Sequence, residues 1–98
     1  MKVSEVSVDF LVDYLRLDEP TDIEKGELIT IKKSAVEYIK SYTGLDENQI
    51  DSHEDITQAL LLLVADMFDN RNLYIEGKAN NINKAVECIL SMHSTNLL

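Results

Sequence analysis

The amino-acid sequence predicts an all-α fold: a small bundle of about four helices, with a long second helix and an extended loop before the last helix. Apolar residues recur at steps of three and four through most of the chain, as on one face of a helix. Capping residues, one proline and a few glycines divide these stretches. With 98 residues the chain can build one modest core, so residues 1–98 are assigned to a single domain.

The composition restricts the classes of function. A formal charge of −9, from 18 acidic and 9 basic residues, argues against a protein that grips nucleic-acid phosphates. The single cysteine, Cys88, rules out an intramolecular disulfide and favours a reducing compartment. The first residues have no apolar stretch of signal-peptide length, so we expect neither secretion nor membrane insertion.

The first helix is predicted from Val8 to about Leu17, with Ser7 as its N-cap and Pro20 beyond its end. Its apolar residues form two rows along the helix. Two apolar rows on so short a helix predict that it packs against two different partners. The first row consists of Val8, Leu11, Val12 and Leu15, and the second of Phe10, Tyr14 and Leu17.

The second helix is predicted from about Asp22 to Thr43. Thr21 and Glu24 have the spacing of a capping box at its start, and Gly44 is a typical C-terminal stop. Gly26 within the first turns costs about 1 kcal/mol relative to alanine.

The third helix follows a polar connection over residues 45–51, with Ser52 and Asp55 as its predicted cap, and it closes at residues 69–72. Residues 59–65 are all apolar, so a helix here has no solvent-facing side over about two turns. We expect one small domain to cover only part of this surface and neighbouring chains to supply the rest.

The segment Leu73–Lys78 is predicted as an extended loop with exposed apolar residues. Asn80 or Asn81 then caps a fourth helix, and a frayed tail begins at about His93. The apolar face of this helix consists of Ile82, Val86, Ile89 and Leu90.

No catalytic, cofactor-binding or metal-binding motif is found. His53 lies among carboxylates, but the spacing matches neither a calcium loop nor a zinc helix with two histidines, and we interpret the acids as helix-capping residues. Cys88 is expected to be a small buried apolar contact. The tyrosines are expected to pack in the core with their hydroxyls at its rim, because base-stacking platforms need a positive groove. These absences predict that the chain is not an enzyme and needs no cofactor.

Three segments together resemble the small helical head–tail connector, or head-completion, proteins of tailed bacteriophages and prophages. They are residues 6–18, where a capped helix ends in Leu15-Arg16-Leu17-Asp18, residues 35–44, and residues 56–71, an apolar helix that closes with Phe68-Asp69-Asn70-Arg71. The chain departs from the family near its C-terminus, where Asn80-Asn81-Ile82 replaces a frequent proline.

The resemblance implies a structural protein that assembles as a ring, commonly dodecameric, beneath the portal protein. Such a ring extends the DNA channel, lets DNA pass without sequence-specific binding, and joins the head to a downstream tail-completion or stopper protein. It implies assembly in the bacterial host cytoplasm and a final place in the virion neck. A dodecamer would carry a formal charge on the order of −100, which would keep DNA from adhering to an acidic lumen.

We expect the interface with a neighbouring subunit or the portal to draw on the second row of the first helix, the apolar third helix and the extended loop. The candidate interface residues are Phe10, Tyr14, Leu17, Leu60, Leu62, Leu73, Tyr74 and Ile75. The alternative function is a small acidic helical regulator, such as a DNA mimic that binds a nucleic-acid-binding protein.

Overall fold

The computed structural model describes residues 1–70 and 84–94, and within these ranges all regular secondary structure is helical, with no strand. A short 3₁₀ turn, Val3–Glu5, precedes the α-helices. The predicted all-α fold is confirmed, with one short helix more than predicted. The helices are α1 Val8–Tyr14, α2 Asp22–Thr43, α3 Glu47–Asp51, α4 Glu54–Asp69 and α5 Lys84–Ser91.

Helix α1 begins as predicted, with the Ser7 hydroxyl accepting a hydrogen bond from the Phe10 amide, but it ends three residues earlier than predicted. Arg16 adopts a left-handed conformation with φ of 56°. The Leu17 amide bonds to the Val12 carbonyl, and the Arg16 amide bonds to the Asp13 carbonyl. This pair of hydrogen bonds is a Schellman motif. The backbone conformation of Arg16 therefore ends the helix before the chain reaches Pro20.

Helix α2 matches its predicted bounds. The Thr21 hydroxyl accepts from the Glu24 amide, and the Glu24 carboxylate accepts from the Thr21 amide, both at 3.1 Å. At the other end Gly44 is left-handed with φ of 75°, and its amide bonds to the Lys40 carbonyl. Both capping predictions are therefore confirmed.

The connection between α2 and α4 differs from the prediction. Asp46 and Gln49 form a capping box around α3, and this short helix buries Ile50 in the core. His53, rather than Ser52, occupies the N-cap position of α4 and makes no side-chain capping bond. The Ser52 hydroxyl instead donates to the Gln49 carbonyl within the preceding turn.

Helix α4 lies at the centre of the domain and contacts α2, α3, α5 and the 3₁₀ turn. This arrangement surrounds its apolar stretch, in which Leu62 and Ala65 are half-buried and the rest are buried. The chain itself covers more of this stretch than the sequence predicted, because the 3₁₀ turn and α3 also pack against α4. Leu62 and Ala65 stay partly exposed, and cover by neighbouring chains remains a prediction. The buried residues of the stretch are Ala59, Leu60, Leu61, Leu63 and Val64.

Helix α5 packs Val86 and Leu90 into the same core, as the apolar face predicted. Residues 93–94 do not fray as expected, because the Ser94 hydroxyl donates to the Tyr42 carbonyl at 3.1 Å and His93 contacts Asp55. Cys88 is exposed rather than buried, which corrects its predicted role. The loop Leu73–Lys78, the caps Asn80 and Asn81, and Ile82 lie outside the described residues.

Candidate functional site

The residues predicted for an interface have different surroundings in the fold. Phe10 and Tyr14 stack with a centroid distance of 6.5 Å, and Tyr14 is exposed while Phe10 and Leu17 are half-buried. Leu60 is completely buried within the chain, so its assignment to an interface is corrected: it is a core residue. Leu62 is half-buried and retains some surface for a partner. The remaining candidates, Leu73, Tyr74 and Ile75, lie outside the described residues.

An open groove of about 840 Å³ separates α2 from the N-terminal segment and α3. We call it the α2 groove. Its apolar lining comes from Val3, Val6, Val8, Ile29, Val36 and Ile50, and polar or charged side chains, among them Lys33, Glu37 and Glu47, line the rest. Ile29 is 44% exposed, an unusual amount for a large aliphatic side chain that faces a concave surface. The sequence analysis missed this groove because Ile29 and Val36 lie beside the main apolar stripe of α2.

Hydrogen bonds hold both walls of the α2 groove in place. The Lys32 ammonium donates to the Val6 carbonyl at 2.6 Å, across the groove floor. The Ser4 amide donates to the Asp51 carboxylate at 3.1 Å. Hydrogen bonds from the side chain and the backbone amide of Ser4 lower the pKa of Asp51 from its ordinary value. These bonds link the N-terminal segment to α2 and to α3, the three parts of the chain that line the groove.

A pair of tyrosines lies on the other flank of α2. Tyr38 and Tyr42 stack with a centroid distance of 6.0 Å, and Tyr38 is 38% exposed. Partial burial, then the neighbouring Tyr42 and Glu87, raise the pKa of the Tyr38 phenol. At about 100° of rotation per residue, Tyr38 lies roughly 200° around the helix from Val36. The α2 groove and the tyrosine pair thus face in nearly opposite directions.

Acidic side chains are concentrated between positions 9 and 24, where six acids accompany one basic residue, Arg16. Glu24 is half-buried at its capping position, and the other five acids are exposed. They surround the turn between α1 and α2, close to the exposed Ile23. This end of the molecule is unsuited to nucleic-acid binding, because it offers phosphates almost no positive charge.

One group of side chains in the described ranges could hold a metal ion. His53, Asp55 and His93 each present a ligand atom, and these atoms lie within 4.8 Å of one another. The sequence analysis compared His53 only with its neighbours in the chain, and no spacing pattern links it to His93. The contact depends on the docking of the segment after α5 against the start of α4.

In the described ranges, no helix combines the length and the apolar character needed to cross a bilayer. No family model, curated protein or solved structure matches the chain.

Proposed function

We propose that the chain is a subunit of a phage head–tail connector, which assembles head to tail into a ring beneath a portal ring. The observation that carries the proposal is the placement of two unlike apolar surfaces, the α2 groove and the Tyr38–Tyr42 pair, on opposite flanks of one helix. The resemblance of residues 6–18, 35–44 and 56–71 to the connector family supports the same function.

Symmetry explains why two unlike surfaces favour a ring. A twofold dimer uses one surface twice, whereas a ring of identical subunits joins one surface of each copy to a different surface of the next. The α2 groove is concave with an apolar lining bordered by charged side chains, and the tyrosine pair is a partly exposed aromatic surface. Packing the second into the first buries apolar area on both partners and leaves the Tyr38 hydroxyl at a polar rim.

Apolar side chains that the fold leaves exposed also support the proposal. Helix α4 is largely covered by its own chain, and the exposed apolar side chains of the described residues include Ile29 in the groove, Tyr38 in the tyrosine pair and Tyr14 in the Phe10–Tyr14 stack. Three separate exposed apolar areas on so small a domain exceed what an isolated monomer needs. In the proposed assembly, two of them join neighbouring subunits and the Phe10–Tyr14 stack meets the portal.

The charge of the chain supports a channel through which DNA moves. A formal charge of −9 on every copy makes a ring strongly anionic, and an anionic wall repels phosphates. The exposed acids between positions 9 and 24 contribute to this charge. The proposed partners are therefore other copies of the chain, the portal and a downstream stopper protein, with DNA passing through without specific contacts.

Cross-linking tests the proposed contact. In a Cys88→Ser background, Ile29→Cys labels the α2 groove and Tyr38→Cys labels the opposite flank. The variants are mixed on a portal ring and treated with a short bismaleimide. The proposal expects cross-linked dimers from the mixture, none from either variant alone, and a ladder of higher oligomers from the double variant.

A matched control uses Thr30→Cys in place of Tyr38→Cys, because Thr30 is exposed on the same helix at a different angle. Equal cross-linking with Thr30→Cys, or dimers from either single variant alone, would contradict the head-to-tail contact. Salt-sensitive binding to a basic protein instead of a portal would favour the alternative, an acidic regulator.

A further inference from the structure

The two histidines of the chain, although forty positions apart, meet in one cluster with Asp55. His53 is the N-cap residue of α4, Asp55 belongs to the first turn of that helix, and His93 follows α5. His93 Nε2 lies 2.6 Å from Asp55 Oδ2, and the two imidazole centroids are 4.3 Å apart. We call these three residues the His–Asp–His cluster.

A hydrogen bond accounts for only part of this arrangement. It explains why His93 meets Asp55, but it does not explain why a second imidazole lies against the first. His53 makes no capping bond to the amides of α4, which is the usual role of a polar side chain at that position. Helix capping therefore leaves the position of His53 unexplained.

Two imidazoles and one carboxylate form a typical donor set for a zinc-class metal ion, with water in the fourth position. Metal–donor distances of about 2.0 to 2.1 Å place the donors of a tetrahedral site roughly 3.3 Å apart. The separations in the cluster range from 2.6 Å to at most 4.8 Å, which brackets this value. Binding of an ion would replace the 2.6 Å hydrogen bond between His93 and Asp55, widening that separation to roughly 3.3 Å, and would draw His53 towards the same ion.

The surroundings admit an ion. The side chain of Asp55 is 43% exposed, whereas that of His93 is 18% exposed, so the cluster opens to solvent on the carboxylate side. Glu54 and Asp55 both lie in the first turn of α4, where their negative charge offsets the positive end of the helix dipole. Glu54 also pairs with the Met1 ammonium at 3.7 Å. A hydrated cation can reach the cluster and keep one water.

We propose that His53, Asp55 and His93 bind one zinc-class divalent cation per chain. The ion joins the start of α4 to the segment after α5, two regions that meet only in the folded state. It is therefore a structural ion that stabilises the docking of α5, because a ligand that binds only the folded chain shifts unfolding to higher temperature. The proposal is independent of ring assembly.

The test uses the full-length chain without a histidine tag, treated with EDTA and dialysed. Isothermal titration with Zn²⁺ is expected to give one site per chain, and Zn²⁺ is expected to raise the unfolding temperature. Co²⁺ is expected to give the intense visible absorption of a tetrahedral site. His53→Ala and His93→Gln should each weaken Zn²⁺ binding by about 100-fold or more, since even outer-shell changes cost about 10- to 100-fold.

His93→Gln keeps an N–H donor for Asp55, so that folding without metal is preserved, and circular dichroism verifies this. The matched pair Asp55→Asn and Asp9→Asn removes one acid from the second position of two different helices. Only Asp55→Asn should weaken binding and abolish the Co²⁺ absorption. The absence of saturable binding to the wild-type chain, or equal affinity in His53→Ala and the wild type, would overturn the proposal.

Discussion

Lys32 donates a hydrogen bond from its ammonium group to the backbone carbonyl of Val6, 2.6 Å away. This contact crosses the floor of the α2 groove and joins the middle of α2 to the segment that leads into α1. Val6 itself is buried, so its carbonyl has little access to water. The bond adds to the packing of Leu11 in the core and of α1 against α2.

Lys32→Met should lower the free energy of unfolding by about 1 to 3 kcal/mol, because it leaves the Val6 carbonyl without its charged donor. Urea denaturation measures the change. Lys33→Met is the control, since Lys33 is the adjacent and exposed lysine of the groove, and it should alter stability by no more than about 0.5 kcal/mol. Equal losses in the two variants would show that the bond to Val6 contributes nothing.

Gly26→Ala should stabilise the domain by about 1 kcal/mol, since alanine is the better helix former. A Cβ atom placed at Gly26 meets no other atom within 4 Å, so the change introduces no clash. Gly44→Ala is the contrasting variant and should destabilise by about 1 kcal/mol, because Gly44 has a left-handed φ of 75°. Thermal or urea denaturation should show a higher free energy of unfolding for Gly26→Ala and a lower one for Gly44→Ala.

Arg16→Gly should also stabilise the domain, by about 1 kcal/mol, because glycine adopts the left-handed conformation of the Schellman motif without the steric cost of a Cβ atom. Arg16→Ala separates this effect from the loss of the guanidinium, since alanine keeps the Cβ atom. The two variants are compared by chemical denaturation. If Arg16→Ala stabilises as much as Arg16→Gly, charge rather than backbone strain is the cause.

The Tyr38 phenol should ionise above its ordinary pKa of 10.0, because partial burial and the nearby Tyr42 and Glu87 disfavour the phenolate. A group whose pKa is raised by folding adds stability below its unfolded pKa and loses it as pH rises through the folded pKa. Alkaline spectroscopic titration of the wild type and of Tyr38→Phe isolates this phenol. Its pKa should fall to the ordinary value in denaturant, and an unshifted pKa in the folded chain would contradict the described packing.

Local patterns in the sequence were sufficient to predict most of the helices. Both ends of α2 follow from Thr21, Glu24 and Gly44, because capping depends on residues that are close in the chain. The end of α1 could not be predicted in the same way, since Arg16 takes a conformation that usually favours glycine. The short α3 was missed because its single buried residue, Ile50, gives no apolar period.

The candidate sites depend on contacts between distant parts of the chain, which periodicity does not reveal. The α2 groove needs Val3 and Val6 to lie opposite Ile29, and the His–Asp–His cluster needs His93 to return to the start of α4. The apolar character of α4 indicated an interface in the sequence, but the fold uses Leu60 in the core. Among the described residues of α1 and α2, the side chains of Tyr14, Ile29 and Tyr38 are exposed and accessible to a partner.

The most direct test of the central claim is the mass of the purified chain, of 11.1 kDa, with and without a portal ring from the same genome. Light scattering at moderate salt makes this measurement. A connector subunit should form a discrete complex whose added mass is a whole multiple of the subunit mass, equal to one copy for each portal subunit. No association with the portal over a wide range of concentrations would contradict the account.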